Sequence, residues 1–427
     1  MQNLSINEKV SKVCSNNGIE VYKIDTKKFK TNSINIFFLD NLRRETASMN
    51  AMVPAVLRRG CGKFQTYKDI ALYLEELYGA SFDCGVTKKG EQQIIQFYME
   101  FVADKYTGEN TNLFEKAVNL LYEIIMNPVV ENGAFKEEYI RQEKENLKRL
   151  IESRINDKVQ YAVEKCFEVM CKDEPFGIYD YGSLEDVNAI SNKELYEHYN
   201  NMLRILPVKI YICGDMEEEI IKEVLSKFLS IDRENLKQIE KTDVFRETAD
   251  VKDVTENMDV NQAKLSLGFR TNTSPGSDDY YKLIVYNGIL GGGIHSKLFQ
   301  NVREKASLAY YVFSRLEKFK GLMVISSGIE AEKREQAEDI ILKQMREIRE
   351  GNITDYEFDS TIKAIETGLR SLNDSQIQMV DFYLSQAIVD SKDSLESVIM
   401  KVKEVTKQDV IDIASKIKLD TKYFLKR

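Results

Sequence analysis

Histidine is scarce in this chain: only His198 and His295 occur, far apart in sequence. Imidazole and thiolate are the usual zinc ligands, so few routes to a zinc site remain. Tryptophan is absent, which decides nothing, and prolines number only five, so the chain is expected to be compact rather than Pro-rich and unstructured. The six cysteines (Cys14, Cys61, Cys84, Cys166, Cys171, Cys213) include no C-x-x-C pair. They read as reduced, partly buried thiols, because disulfide frameworks belong to smaller secreted chains. No run approaches the roughly 18 apolar residues of a membrane span. The start, Met1–Val13, lacks the basic segment and apolar stretch of a secretory signal. Clusters of Lys and Arg interleaved with aromatics are missing too, and the formal charge of −9 disfavours polyanions. These absences predict a cytoplasmic protein with no membrane and no nucleic-acid partner.

What is present is a repeat. With 427 residues, 43% of them hydrophobic, the chain has material for two to four packed domains. The alternating run Ile34–Leu39 reads as a strand. A helix is expected over Ala47–Arg59, and a second, amphipathic one carries Ile70, Leu74, Leu77 and Tyr78 on one face. Strands Ser81–Val86 and Gln93–Val102 flank a Lys88-Lys89-Gly90 turn. Helices are expected over Asn112–Met126, over one long charged stretch from Ala134 to Cys171, and over Glu194–Met202, before a strand at Val208–Cys213. The order then replays: strand Ala263–Phe269, helix Tyr280–Leu290, a glycine run, helix Ser296–Glu304, and strands Leu308–Phe313 and Leu322–Ile329. Helices at 333–350, 356–372, 377–389 and 407–417 and a strand at Lys422–Leu425 close it. Such self-similarity indicates duplication.

The expected fold class is α+β: two tandem homologous halves, each an α/β sandwich of a mixed sheet with helices packed on one face. The first half spans 1–229 and the second 256–427. The charged stretch between them, 230–255, has no apolar face and reads as a linker.

The most specific stretch is Leu290–Tyr311, LGGGIHSKLFQNVREKASLAYY. Three glycines permit close backbone approach, and Arg303 and Tyr310 follow across a helix-to-strand turn. A guanidinium and a phenol suit the holding of a peptide carbonyl and of charge developing on its oxygen. On the residues alone the plainer account is an Arg303 paired with a surface carboxylate and a half-buried strand Tyr310. The stretch nevertheless resembles the C-terminal half of pitrilysin/insulinase-family peptidases: Gly291–Gly293, Ser296-Lys297-Leu298-Phe299, Arg303-Glu304 and Leu308-Ala309-Tyr310 stand in the family's order. The resemblance implies the duplicated α+β fold along nearly the whole chain. It also implies substrate contacts from Arg303 and Tyr310, with Gly291, Gly292, Gly293 and His295 lining the groove.

The same family carries H-x-x-E-H on a helix of its first half, two His for zinc and a Glu for the water. Counting back from Arg59-Gly60 puts Ala51-Met52-Val53-Pro54-Ala55 in that place. Ala51 and Ala55 have no donor atoms, and Pro54 is no base. Downstream, Glu138, Glu143, Glu145 and Glu152 line a helix on which the third ligand would fall; its register leaves Leu150 as an equal match. Without His partners these carboxylates are expected to form a solvated face, and no metal or other cofactor is expected in this chain. His198 reads as structural.

Two functions follow from the resemblance. In one, this chain is a zinc-less subunit that binds unfolded peptide and supplies Arg303 and Tyr310 to a homologous subunit bearing H-x-x-E-H, which would hold the zinc. In the other, it is an inactive scaffold or peptide-binding regulator. Because the halves share a fold, a homodimer is also allowed.

Overall fold

The computed structural model describes residues 9–108, 111–248 and 250–427. In chain order the first elements are β1 (Lys9–Asn16), β2 (Ile19–Asp25), β3 (Thr31–Asn41), α1 (Arg44–Leu57) and α2 (Tyr67–Glu76). Next come β4 (Ser81–Lys89), β5 (Gln92–Val102), α3 (Leu113–Met126), the short pair β6 (Val130–Glu131) and β7 (Ala134–Phe135), α4 (Glu137–Ser153) and α5 (Lys158–Met170). Then follow α6 (Leu184–Ala189), α7 (Asn192–Ile205), β8 (Val208–Gly214), α8 (Glu218–Val224) and α9 (Ser226–Leu229). The remainder holds β9 (Lys252–Asn257), β10 (Ala263–Arg270), α10 (Asp279–Gly291), β11 (Ala309–Glu317) and β12 (Leu322–Ile329). It ends with α11 (Arg334–Arg349), α12 (Asp355–Ser371), α13 (Gln376–Ile388), α14 (Leu395–Glu404), α15 (Lys407–Ala414) and β13 (Lys418–Lys426).

Two sheets establish the duplication. The first runs β1-β2-β8-β3-β5-β4 and the second, read from its far edge, β9-β13-β10-β12-β11. Dropping β1 makes the orders identical, down to one parallel pairing in each, β2 with β8 and β9 with β13. Both are mixed sheets with most of their helices packed on one face, as the resemblance implies, and the second carries α5 on its other face as well. In each, the central strand is apolar on its helix side: Ile34, Ile36 and Phe38 on β3 and Leu265, Leu267 and Phe269 on β10 are buried in separate cores.

The chain divides into two compact units, residues up to Glu152 with Ile178–Glu240, and Ser153–Gly177 with Lys241–Arg427. The long helix expected from Ala134 to Cys171 is therefore broken. A tight turn at Arg154–Asn156 interrupts it, and the Asp157 carboxylate then caps α5 by accepting from the amides of Val159 and Gln160 at 3.1 and 3.0 Å. Arg154 pins the turn through Glu164 at 2.8 Å and Glu168 at 2.6 Å. The second part, α5, lies on the second sheet's other face, where Val163, Phe167 and Met170 pack on Leu322 and Val324. A periodicity of 3.6 runs on through the break, so only the Asn156-Asp157 cap signal marked it.

A cluster of buried charge anchors that crossing. Glu174 accepts from Arg270 at 2.7 Å and from Lys320 at 2.7 Å, and Arg270 also reaches Asp420 at 3.0 Å. Burial opposes ionisation of Glu174, but the hydrogen bonds from Arg270 and Lys320 hold its carboxyl below the usual range.

The stretch 230–255 is tied down along much of its length. Arg233 donates to the carbonyls of Leu203 and Leu206, Glu240 N–H donates to Asn41 at 2.9 Å, and Lys252 onward forms β9. The hairpin of β1 and β2 was also not expected. Its signal was Asn17-Gly18, both in the left-handed region at φ 46° and 73°, the two-residue turn that matches strand twist. No helix among the described residues is long and apolar enough to cross a membrane.

Candidate functional site

In the first unit the five motif positions lie on α1, a helix packed on β4 and β5. Ala51, Met52, Val53 and Pro54 are buried and Ala55 half-buried. Pro54 sits within the helix without ending it. Its carbonyl accepts from the Arg58 amide at 3.1 Å and from the Cys84 thiol of β4 at 3.2 Å. Burial pushes that thiol up to about 12, so it stays protonated and donates. Just past the helix, Arg59 binds the Glu143 carboxylate of α4, whose other oxygen accepts from Asn146 at 3.2 Å. Of the remaining α4 carboxylates, Glu145 pairs with Lys148 at 2.9 Å and Glu138 accepts from Gln142 at 3.2 Å. Leu150 is exposed.

These residues do not fit a zinc ion. Three motif positions lack donors, the nearest engaged carboxylate is held by an arginine, and no group of three His, Cys, Asp or Glu among the described residues is placed to hold a metal. One position before the motif, Asn50 is fully buried in a network of its own. It donates to Asp40 at 3.0 Å and Gln93 at 2.9 Å, and its carbonyl oxygen meets His198 Nε2 at 2.7 Å. Since that oxygen can only accept, Nε2 carries the proton. Burial lowers the His198 pKa, keeping the ring neutral. His198 is structural, as expected.

The second unit has the same helix position occupied differently. Its glycines serve packing first: a Cβ on Gly291 would stand 2.5 Å from the Ser314 backbone nitrogen, and one on Gly292 2.7 Å from Gly288. Gly292 and Gly293 are exposed. His295 is buried, its Nε2 at 2.9 Å from the Thr361 hydroxyl of α12, and burial lowers its pKa. The backbone then departs from regularity twice. Phe299–Lys305 is a π-helix, and Arg303 lies on it. The Arg303 guanidinium stands 4.9 Å over the Phe299 ring, half-exposed, with Glu304 at 3.6 Å. After Ser307, at φ 52°, β11 begins with a bulge: Ala309 pairs with Ile329 and Tyr311 with Gly328, leaving Tyr310 as the extra residue. Tyr310 is 70% exposed as a result. Single-turn π-helices and bulges recur at functional sites because they re-aim side chains that regular structure would hold elsewhere.

The π-helix packs on β11, and β11 is the open edge of the second sheet. A cavity of about 590 Å³ lies beside it, lined by Tyr310, Val260, Gln262, Ile329, Glu330 and Glu332. Glu330 is paired with Lys333 at 2.8 Å. Arg303, Tyr310 and the glycine loop thus belong to the second unit, and the five motif positions to the first. Sequence inspection overlooked Gln262, Lys264 and Tyr311, which group across β10, β12 and β11. The signal was the alternation Lys264, Ser266, Gly268, Arg270, a polar side to a strand otherwise apolar.

Comparison with known proteins gives the family and the fold. Residues 189–365 match the family model described as the Peptidase M16 inactive domain. The chain is 36% identical over 421 residues to the "Probable inactive metalloprotease YmfF" of Bacillus subtilis, covering 99% of this chain and 98% of that protein. Among solved structures, a conserved protein from Enterococcus faecalis V583 superposes with TM-score 0.90 at 29% identity, over 98% of both chains. A peptidase M16 inactive domain from Pseudomonas fluorescens shares the fold at TM-score 0.79 and 17% identity, over 99% of this chain and 98% of that one. The chain therefore belongs to the pitrilysin-type M16 peptidase family, as a member whose zinc-motif positions bear no metal-binding side chain.

Proposed function

We propose that this chain is the peptide-holding subunit of a two-chain metallopeptidase, its partner a homologous chain that carries H-x-x-E-H and performs the hydrolysis. One observation supports this above others: the two backbone irregularities of the second unit fall at Arg303 and Tyr310, while α1 carries no catalytic group. A regular helix and strand cost less than a π-turn and a bulge, so both departures are retained for where they aim a side chain. An unfolded peptide would pair with the open edge of β11 as an added strand, its backbone supplying affinity. Arg303 N–H and Tyr310 O–H would donate to a carbonyl oxygen of that peptide, where negative charge gathers during attack. His295 and Gly291–Gly293 would shape the adjoining wall. The partner would bring the zinc.

The test is peptide hydrolysis by this chain, by an H-x-x-E-H homologue, and by the two mixed. Activity confined to the mixture, and reduced in Arg303→Ala and Tyr310→Phe mixtures, is the expected result. Full activity in both mutant mixtures would overturn the roles given to these residues. A second reading, an inactive scaffold or peptide-binding regulator, is favoured by the stacking of Arg303 on Phe299 and its closeness to Glu304, which already occupy the guanidinium. Peptide binding without hydrolysis in any mixture would select it.

A further inference from the structure

Buried cations among the described residues differ in how they are compensated. Lys320, fully buried, and Arg270, 4% exposed, share Glu174. Lys297 pairs with Glu357 at 2.9 Å. Arg233 is surrounded by carbonyl oxygens. Lys264 is 8% exposed, and its ammonium meets only the Gln262 side-chain oxygen at 2.9 Å and the Tyr311 ring, 5.5 Å from the centroid. A buried charge without an anionic partner is costly, and Lys264 has one neutral acceptor to offset that cost where Arg233 has three. Desolvation, with no carboxylate to offset it, lowers the Lys264 pKa.

The groups around Lys264 come from three adjacent strands. Lys264, Gly328 and Tyr311 stand in one row across β10, β12 and β11. A Cβ on Gly328 would lie 2.5 Å from Tyr311 and 2.6 Å from the Gln262 oxygen, so the glycine is what lets lysine, amide and phenol meet. The next row on the same face pairs Ser266 with Ser326. The Ser266 hydroxyl is buried without a hydrogen-bond partner, and the Tyr311 hydroxyl touches only Ser326, at 3.5 Å. Apart from the Gln262 oxygen, which an amide rotation replaces with N–H, these groups are donors in want of an acceptor. The nearby carboxylate, Asp157, is engaged as the cap of α5.

We propose that Lys264, with Tyr311 and Gln262, is a subsite for a carboxylate of the bound peptide, either its C-terminal group or an acidic side chain. The proposal rests on the peptide-binding reading above and adds a substrate preference to it. Lys264 N–H and Tyr311 O–H donate to the carboxylate oxygens, and Gln262 turns its amide nitrogen toward them. The bound group supplies the charge the fold leaves out, two strands in from the edge where the peptide backbone lies.

Fluorescence anisotropy tests this with three labelled, unstructured peptides of about twelve Ala, Ser, Leu and Lys residues. One has a free C-terminus, one an amidated C-terminus, and one an amidated C-terminus with a single internal Glu. A charge-assisted pair predicts about tenfold tighter binding for whichever carboxylate is used, against the plain amide. Lys264→Met should erase that ratio and melt no lower than the parent, whereas Lys264→Arg should keep it. Equal binding of all three peptides by the parent chain overturns the subsite while leaving peptide binding intact. So does a ratio that survives in Lys264→Met. Binding of none overturns both proposals.

Discussion

The two units share a strand order and differ at the helix that follows the central strand. In the first unit α1 carries Ala51, Pro54 and Ala55 where family chemistry would sit, and several polar groups nearby are engaged: Cys84 by the Pro54 carbonyl, Glu143 by Arg59, Asn50 by Asp40, Gln93 and His198. In the second unit, the stretch after α10 carries a π-helix, a left-handed serine, a bulge and an exposed tyrosine. The first unit also has a left-handed, exposed residue before its hairpin, Tyr78, so the contrast rests on the π-helix and on the bulge at Tyr310, which regular packing alone does not explain.

Four experiments break or sharpen that contrast. The largest effect is expected at the irregular segment: Arg303→Ala and Tyr310→Phe should each lower hydrolysis by a mixed complex about 10²–10³-fold, with urea stability changed by less than about 0.5 kcal/mol. A loss of stability matching the loss of rate would make these residues packing elements. Next, Glu174→Gln leaves buried Lys320 without its carboxylate and Arg270 with Asp420 alone, so the second unit should lose about 3 kcal/mol while hydrogen exchange in the first stays as it was. Gly291→Ala forces a methyl group against the Ser314 amide and should cost about 2 kcal/mol; an unaffected melting curve would show that the loop is looser than its packing suggests.

The smallest effect concerns pH and treats the units alike. The folded-state pKa values of His198 and His295 are both lowered by burial, so the unfolded chain binds protons first as pH falls below about 6.5. Stability should therefore decline as pH drops through that window, by at most about 1.4 kcal/mol per pH unit for each ring. His198→Gln should flatten the slope for the first unit only. A slope unchanged in that variant would assign the acid sensitivity to other groups.

The duplicated fold was legible because its carriers are local: alternation in Ile34–Leu39 and Ala263–Phe269, and helical spacing in Ile70 and Leu74. The loss of the zinc motif was equally legible, since Ala51, Pro54 and Ala55 lack the atoms whatever surrounds them. The break between α4 and α5 was not, because amphipathic spacing continues across it and only burial on a different sheet separates the parts. Nor was the hold on 230–255, whose partners Asn41, Leu203 and Leu206 come from distant positions. Of the candidate site, Arg303 and Tyr310 could be named from sequence, but not the π-helix and bulge that aim them. Those depend on backbone pairing with β12 and on packing against β11.

The sequence by itself determined the two-fold repeat, the family and the absence of metal-binding side chains at the motif, since each is a matter of residue identity and spacing. Only the tertiary structure decided that α5 serves the second sheet, that Tyr310 is turned out of its strand, and that Lys264 is buried beside the Gln262 oxygen and the Tyr311 ring rather than a carboxylate. Each of those is a question of which distant groups come within a few ångströms, and chain order carries no such distances.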